Sequence, residues 1–277
     1  VTSALGIIAG SGPLPAQVAR AAQAQGREVF IIGLEGHAEA DRIAVFPHAF
    51  MRMGAAVRML ALLREKGCRD LVLVGPVRRP SFRDLRPDAE GMRLLTRIGR
   101  AAFAGDDGLL KAVIRVLGEE GFHVLGAHEV LGGLIGRPGL LTKAAPDNQA
   151  KADIARGIAV CRALGAADVG QGCVVQTGIV LAVEAVEGTD AMLSRCGPLA
   201  WPGPGGVLVK LVKPGQDRRA DLPTIGEQTV RAAAAAGLRG VAFEGGGTII
   251  MDRDRMIAAA DAAGFFLLGL GPEALKR

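Results

Sequence analysis

From residue 5 to residue 125 the chain repeats one alternation: a short apolar run, a break marked by glycine, then a longer stretch with apolar residues at helical spacing. Residues 5–9 form the first such run. They stop at Gly10-Ser11-Gly12-Pro13, and a helical pattern carrying Val18 and Ala22 follows to Gly26. Residues 28–34 read as a second strand. Residues 55–66 read as a helix, with Val57, Leu60, Ala61 and Arg64 at helical spacing and Gly67 as its stop. Residues 70–74 have the character of a buried parallel strand ending at Gly75-Pro76, and 107–120 and 122–125 supply another helix and strand. Strands and helices alternating at these intervals build right-handed βαβ units. The expectation is an α/β protein with a Rossmann-like parallel sheet in its N-terminal domain.

The pattern changes after a Gly- and Pro-rich stretch around residues 130–147. We therefore expect an N-terminal domain over 1–131, a linker over 132–146 and a mixed α/β C-terminal domain over 147–277. In the second domain, 151–164, 228–236 and 254–263 read as helices. Residues 173–176 and 179–186 read as strands joined by Thr177-Gly178, a two-residue hairpin turn, and 206–212, 241–243, 248–251 and 265–268 as further strands.

With 277 residues, 49% apolar and 22% charged, the chain has ample surface to bury and is not disordered. Aromatic residues are only 4%, with a single tryptophan and no tyrosine, so stacking platforms for nucleic acid are scarce and no nucleic-acid partner is expected. The net charge of +5 suits anionic ligands without choosing among them. The four cysteines form no CxxC and read as buried reduced thiols. No signal peptide and no membrane span is visible, so a cytoplasmic protein is expected.

Several positions carry polar chemistry. Gly10 and Gly12 lie between a strand and a helix, where backbone amides can hold a phosphate, although Pro15 stands where a dinucleotide-binding turn has its third glycine. His128-Glu129 lacks the second histidine of a zinc-protease helix. Asp106-Asp107 read as a helix cap or as metal ligands. Gln171 and Gly172 open a strand, and Glu184, Glu187, Gly188, Thr189 and Asp190 cluster at the end of the next. Thr189 or Asp190 could cap a helix over 191–194; the three acids could equally hold a hard cation. Lys210 and Lys213 would need a bend at Pro214 to converge, and Asp221-Leu222-Pro223-Thr224 sets a carboxylate on a stiff loop. Basic groups, acids for Mg²⁺ and a fixed carboxylate together suit phosphoryl-group chemistry.

These residues stand in long strings, DVGQGCVVQTGIVLAVEAVEGTDAMLSRCG and GVLVKLVKPGQDRRADLPTIG, preceded by IIAGSGPLP, GPVRRPSF, GDDGLLKAVIRVLGEEGF and GAHEV. Together they resemble the LpxI-type UDP-2,3-diacylglucosamine pyrophosphatases of lipid A synthesis over nearly the whole chain, with departures such as Val169 that avoid the polar positions. The resemblance implies a two-domain, Mg²⁺-dependent hydrolase, with Mn²⁺ as a substitute, that encloses its lipid nucleotide substrate between domains at the inner membrane surface. It implies water attack at the α-phosphorus, release of UMP and 2,3-diacylglucosamine 1-phosphate, and an essential role for Asp221, as metal ligand or as water-orienting base. Lys210 and Lys213 are then expected to assist catalysis. Gly10, Gly12, Gln171, Gly172, Glu187, Gly188, Thr189 and Thr224 would contact substrate, and Glu184, Glu187 and Asp190 would join Asp221 at the metal. A homodimer is compatible with the sequence. The rival readings are a non-catalytic nucleotide-lipid binding protein and an NAD-binding oxidoreductase.

Overall fold

A computed structural model of the chain describes residues 3–78, 92, 96–99, 106–219 and 222–276. The chain divides into two compact units, Val1–Gly132 with Asp217–Asp221, and Gly133–Gln216 with Leu222–Arg277.

The first unit begins β1 (Ala4–Ala9), α1 (Leu14–Ala24), β2 (Val29–Leu34), α2 (Ala40–Ile43), β3 (His48–Met51), α3 (Ala56–Glu65) and β4 (Cys68–Val74). It continues with α4 (Asp106–Glu119), β5 (His123–Leu125) and α5 (Ala127–Leu131). The strands lie in the order β3-β2-β1-β4-β5 and every pairing is parallel. This is the order of nucleotide-binding doubly wound sheets. All six residues of β2 are buried, as a strand covered on both faces requires. Leu60 and Leu63 of α3 and Ile114 and Leu117 of α4 pack with Ile32 and Leu71 from the sheet, while α1 packs on β1 and β2. The sequence reading missed β3, whose four residues include none that is fully buried. Pairing with the already aligned β2 makes it a strand, a tertiary effect that local pattern does not carry.

The second unit contains β6 (Gly139–Leu140), α6 (Asn148–Ala166), β7 (Gly172–Gln176), β8 (Ile179–Val183), α7 (Gly188–Cys196), β9 (Val207–Lys210), β10 (Thr224–Ile225), α8 (Glu227–Ala235), β11 (Gly240–Glu244), β12 (Ile249–Ile250), α9 (Arg253–Ala262), β13 (Phe266–Leu270) and α10 (Pro272–Leu275). Its main sheet has the order β6-β13-β11-β9-β7-β8. The β13, β11 and β9 pairings are parallel, whereas β7 runs antiparallel to β9 and β8, and β6 antiparallel to β13. β10 and β12 form a separate parallel pair. Alternate residues face opposite layers. Val174, Leu208, Val241 and Leu267 pack with α7, α8 and α9, while Cys173, Val175, Val209 and Phe266 pack with α6. The Gly- and Pro-rich stretch beyond Gly132 is not free-standing: β6 pairs with β13, and the Gly136 amide donates to the Thr248 carbonyl at 2.8 Å. All four cysteines are buried and free.

The β7–β8 turn places Thr177 at φ 49° and Gly178 at φ 82°, the positive values that a type I′ hairpin demands at both central positions. Asp153 of α6, wholly buried, holds this turn. Its carboxylate accepts from the Thr177 amide at 3.1 Å and the Gly178 amide at 2.7 Å, and from the Gln149 side chain at 3.1 Å. A β-branched residue at positive φ is strained by about 1–2 kcal/mol. Thr177→Asn is therefore expected to raise unfolding stability by about 0.5–1 kcal/mol. Asp153→Ala, which removes the buried acceptor of both turn amides, should lower it by about 1–3 kcal/mol. Denaturant unfolding of the two variants checks both signs.

Candidate active site

The C-terminal ends of parallel strands are where an α/β sheet presents polar groups, because the helices cover both faces. In the second unit this edge joins the end of β9 to the start of antiparallel β7, with Lys210 paired opposite Gly172. The chain preceding β7 is drawn tightly against the residue after β8. The Glu184 amide donates to the Gly172 carbonyl at 2.8 Å, and a Cβ on Gly170 would fall 2.0 Å from the Glu184 carbonyl oxygen. A Cβ on Gly172 would fall 2.6 Å from Glu184 Oε2 and 3.4 Å from Lys210 Cγ. The glycines of Gly170-Gln171-Gly172 are thus required by close approach, and the space they leave is taken by the Glu184 carboxylate.

That carboxylate is buried, and only one of its oxygens is engaged. Oε1 accepts from the Thr189 hydroxyl at 2.7 Å, whereas Oε2 finds no partner among the described residues. Lys210 is buried as well, and its ammonium donates to the Thr224 carbonyl at a long 3.3 Å. The side-chain oxygen of Gln171 is buried without a partner among the described residues. An ammonium has three donors to place and a carboxylate two acceptor oxygens, and burial without full pairing is expensive for both. Gly172, Glu184, Thr189, Lys210 and the Thr224 carbonyl therefore meet at a polar recess that is under-satisfied among the described residues, with Gln171 next to Gly172 in the chain. Lys210 suits an anionic oxygen there, and Glu184 Oε2 suits a cation or a proton donor.

Other expected site residues go elsewhere. Glu187 is exposed and accepts from the Arg195 guanidinium at 2.6 Å, which holds its carboxyl below the usual carboxylate range. Asp190 is exposed in the first turn of α7. Among the described residues no three His, Cys, Asp or Glu side chains gather as a metal site, so Glu184, Glu187 and Asp190 are not one ligand set. The helix begins at Gly188, with φ 79°, not at Ala191; this places Thr189 within the first turn and turns its hydroxyl toward Glu184 instead of capping. Lys213 does not join Lys210. β9 ends at Lys210, the chain leaves the sheet before Pro214, and the Lys213 ammonium pairs with Asp168 at 2.8 Å. Asp221 lies outside the described residues, as do the side chains of Asp106 and Asp107.

In the first unit the turn after β1 is occupied by the protein itself. The Gly10, Ser11 and Gly12 amides donate to the Val74 carbonyl at 2.8 Å, the Pro76 carbonyl at 2.9 Å and Glu39 Oε1 at 2.9 Å. Glu129 accepts from the Gly126 amide at 2.7 Å, closing the first turn of α5, which accounts for that acid without a metal.

Sequence reasoning missed Glu244, at the end of β11, which accepts from the Val212 amide at 3.1 Å and so guides the chain as it leaves β9. The glycine run Gly245-Gly246-Gly247 directly after it was the available signal. Gly172→Ala is expected to lower unfolding stability by about 1–3 kcal/mol, because buried Glu184 must shift to admit the methyl. Thermal unfolding compared with the parent checks it.

Two of the comparisons with known proteins agree on one family. The LpxI N-terminal domain matches residues 4–134 and the LpxI C-terminal domain residues 137–268. The chain is 42% identical, over 97% of its length and 98% of the relative's, to the UDP-2,3-diacylglucosamine pyrophosphatase LpxI of Caulobacter vibrioides. Among solved structures, the Bordetella bronchiseptica enzyme WbmG in complex with NAD and UDP aligns at 13% identity and a TM-score of 0.26, over 42% of this chain and 35% of that one. UDP-glucose-4-epimerase from Stenotrophomonas maltophila aligns at 18% identity and 0.26, over 42% and 34%. Likenesses this slight carry no argument. Matched by both domain models and by a relative along almost its entire length, the chain belongs to the LpxI family.

Proposed function

We propose that this chain hydrolyses the diphosphate bridge of UDP-2,3-diacylglucosamine to UMP and 2,3-diacylglucosamine 1-phosphate in lipid A synthesis. Water attacks the α-phosphorus, Mg²⁺ or Mn²⁺ is required, and the protein works in peripheral contact with the inner membrane. The observation that carries this reading is the under-satisfied recess at the β7–β9 edge, in a chain so similar to a relative of that name. A diphosphate is the ligand that a buried ammonium lacks. Lys210 neutralises charge on its oxygens, and Gln171 offers an acceptor for a hydroxyl of the substrate or for the attacking water.

Glu184 Oε2, buried and unpartnered among the described residues, suits a hard divalent cation, and the family resemblance gives Asp221 an essential role as metal ligand or as water-orienting base. The cation, when bound, would screen the diphosphate and lower the barrier to attack at phosphorus. Thr189 keeps the Glu184 carboxylate aimed, by holding Oε1. A binding protein without turnover would have no use for a carboxylate kept half-paired beside a buried lysine.

Incubation with the lipid nucleotide and Mg²⁺ is expected to give UMP and the lipid phosphate by mass, with ¹⁸O from labelled water in UMP and no turnover after chelation. Label in the lipid phosphate would move the attack to the other phosphorus; binding without products would favour the non-catalytic reading. Asp221→Ala should melt like the parent while turnover falls by a factor on the order of 10² or more. Parent-like turnover would return this residue to a capping role.

A further inference from the structure

The first turn of α5 holds a second buried atom without a partner, and the recess does not account for it. His128 Nδ1 is buried and finds no hydrogen-bond partner among the described residues. Its ring lies directly over Gly126. A Cβ there would fall 2.2 Å from His128 Cε1 and 2.4 Å from Nδ1, and 3.2 Å from the carbonyl oxygen of Arg218. Gly126 has φ −75° and ψ 146°, backbone that any residue adopts, so the ring is what demands glycine. The imidazole, the Gly126 backbone and the Arg218 backbone therefore meet at one point.

Arg218 is far from this turn in sequence. It belongs to the short stretch that groups with the first unit, although the chain on either side of that stretch belongs to the second. The stretch is braced locally: Asp217 accepts from the Arg219 amide at 3.0 Å and from its guanidinium at 2.9 and 2.7 Å. The Arg219 guanidinium is held above its ordinary range, first by Asp217 and further by Glu129 of the same α5 turn. One turn thus brings a ring close to the Arg218 backbone and a carboxylate whose charge acts on Arg219, and residues 217–219 lead in sequence to Asp221. Packing alone does not call for imidazole here, since a hydrocarbon side chain would fill the space without stranding a nitrogen.

We propose that His128 is a positioning residue for the hydrolytic reaction, seating the 217–219 segment that leads in sequence to Asp221. The inference rests on the hydrolytic reading above. It acts through the placement of the segment, so its signature lies in turnover more than in substrate affinity.

Steady-state kinetics on the full chain with the lipid nucleotide and Mg²⁺ tests this in His128→Ala, His128→Asn, Gly126→Ala and the Gly126→Ala/His128→Ala double variant, each with its melting temperature. His128→Ala and Gly126→Ala are each expected to lower kcat by a factor on the order of 10 to 10², with KM within a few-fold of the parent. His128→Asn, which keeps a polar group near the Nδ1 position, should recover most of the loss. The double variant should be no slower than His128→Ala, because the space its methyl needs is already vacated. Parent-like kcat in His128→Ala or Gly126→Ala, or multiplicative losses in the double variant, would overturn the inference. If His128→Ala does not fold, Gly126→Ala and His128→Asn decide: slow turnover in the first with recovery in the second supports the seat, and equal turnover in both removes it. A parent chain that gives no products sinks the hydrolytic reading and this inference together, whereas an active parent with unaffected variants sinks the inference alone.

Discussion

Burial of both faces of the β13-β11-β9-β7 sheet is the constraint on which the second unit depends. Alternate residues of each strand are committed to α6 on one side and to α7, α8 and α9 on the other. Polar chemistry is then confined to the strand ends. Because β7 runs against β9, its first residues meet the last residue of β9, and groups distant in sequence arrive at one edge. The dry surroundings that stabilise the sheet also make Lys210 and Glu184 unusually dependent on whatever completes their pairing.

Buried charge serves two ends in this unit, and the state of pairing tells them apart. Asp153 is as buried as any side chain in the protein, yet it has two turn amides and a glutamine amide as donors, with Arg239 at 3.7 Å. It is a structural group, and its work is complete in the folded chain. Glu184 keeps one oxygen unpartnered among the described residues, and Lys210 has a long bond to a carbonyl. Groups left in this condition are destabilising unless a ligand finishes their hydrogen bonding. That difference, more than residue type, separates the recess from the scaffold around it.

The first unit makes the opposite point about inference from fold. Its strand order is that of nucleotide-binding sheets, and a Gly-Ser-Gly turn follows β1. Yet the amides of that turn are engaged by the Val74 and Pro76 carbonyls and by Glu39, which also pairs with Arg42. The architecture offers a phosphate seat, and the chain fills it with its own groups. Function follows from the site and not from the topology that carries it.

How much was legible in the sequence depended on the range of the interaction. The apolar alternation and its glycine stops were enough to read α/β units and a change of pattern beyond the Gly- and Pro-rich stretch around residues 130–147, because periodicity and turn chemistry are local. The Thr177-Gly178 hairpin was readable for the same reason, and both residues do take positive φ. The long strings around Gln171, Glu184, Lys210 and Asp221 were sufficient for the family, confirmed over almost the full chain. Local pattern did not contain the pairing of β3, the capture of Glu187 by Arg195 or of Lys213 by Asp168, or the guidance of Val212 by Glu244. It also did not contain the return of residues 217–219 to α5. A charged residue looks the same in sequence whether it meets solvent, an ion pair or an empty recess. Desolvation and partner geometry choose among these, and both exist only once distant segments have packed. By itself the sequence determined the elements, the family and the residues able to do the chemistry; tertiary structure decided which of those residues stay unpaired, because only packing sets how much water and how many partners each charge keeps.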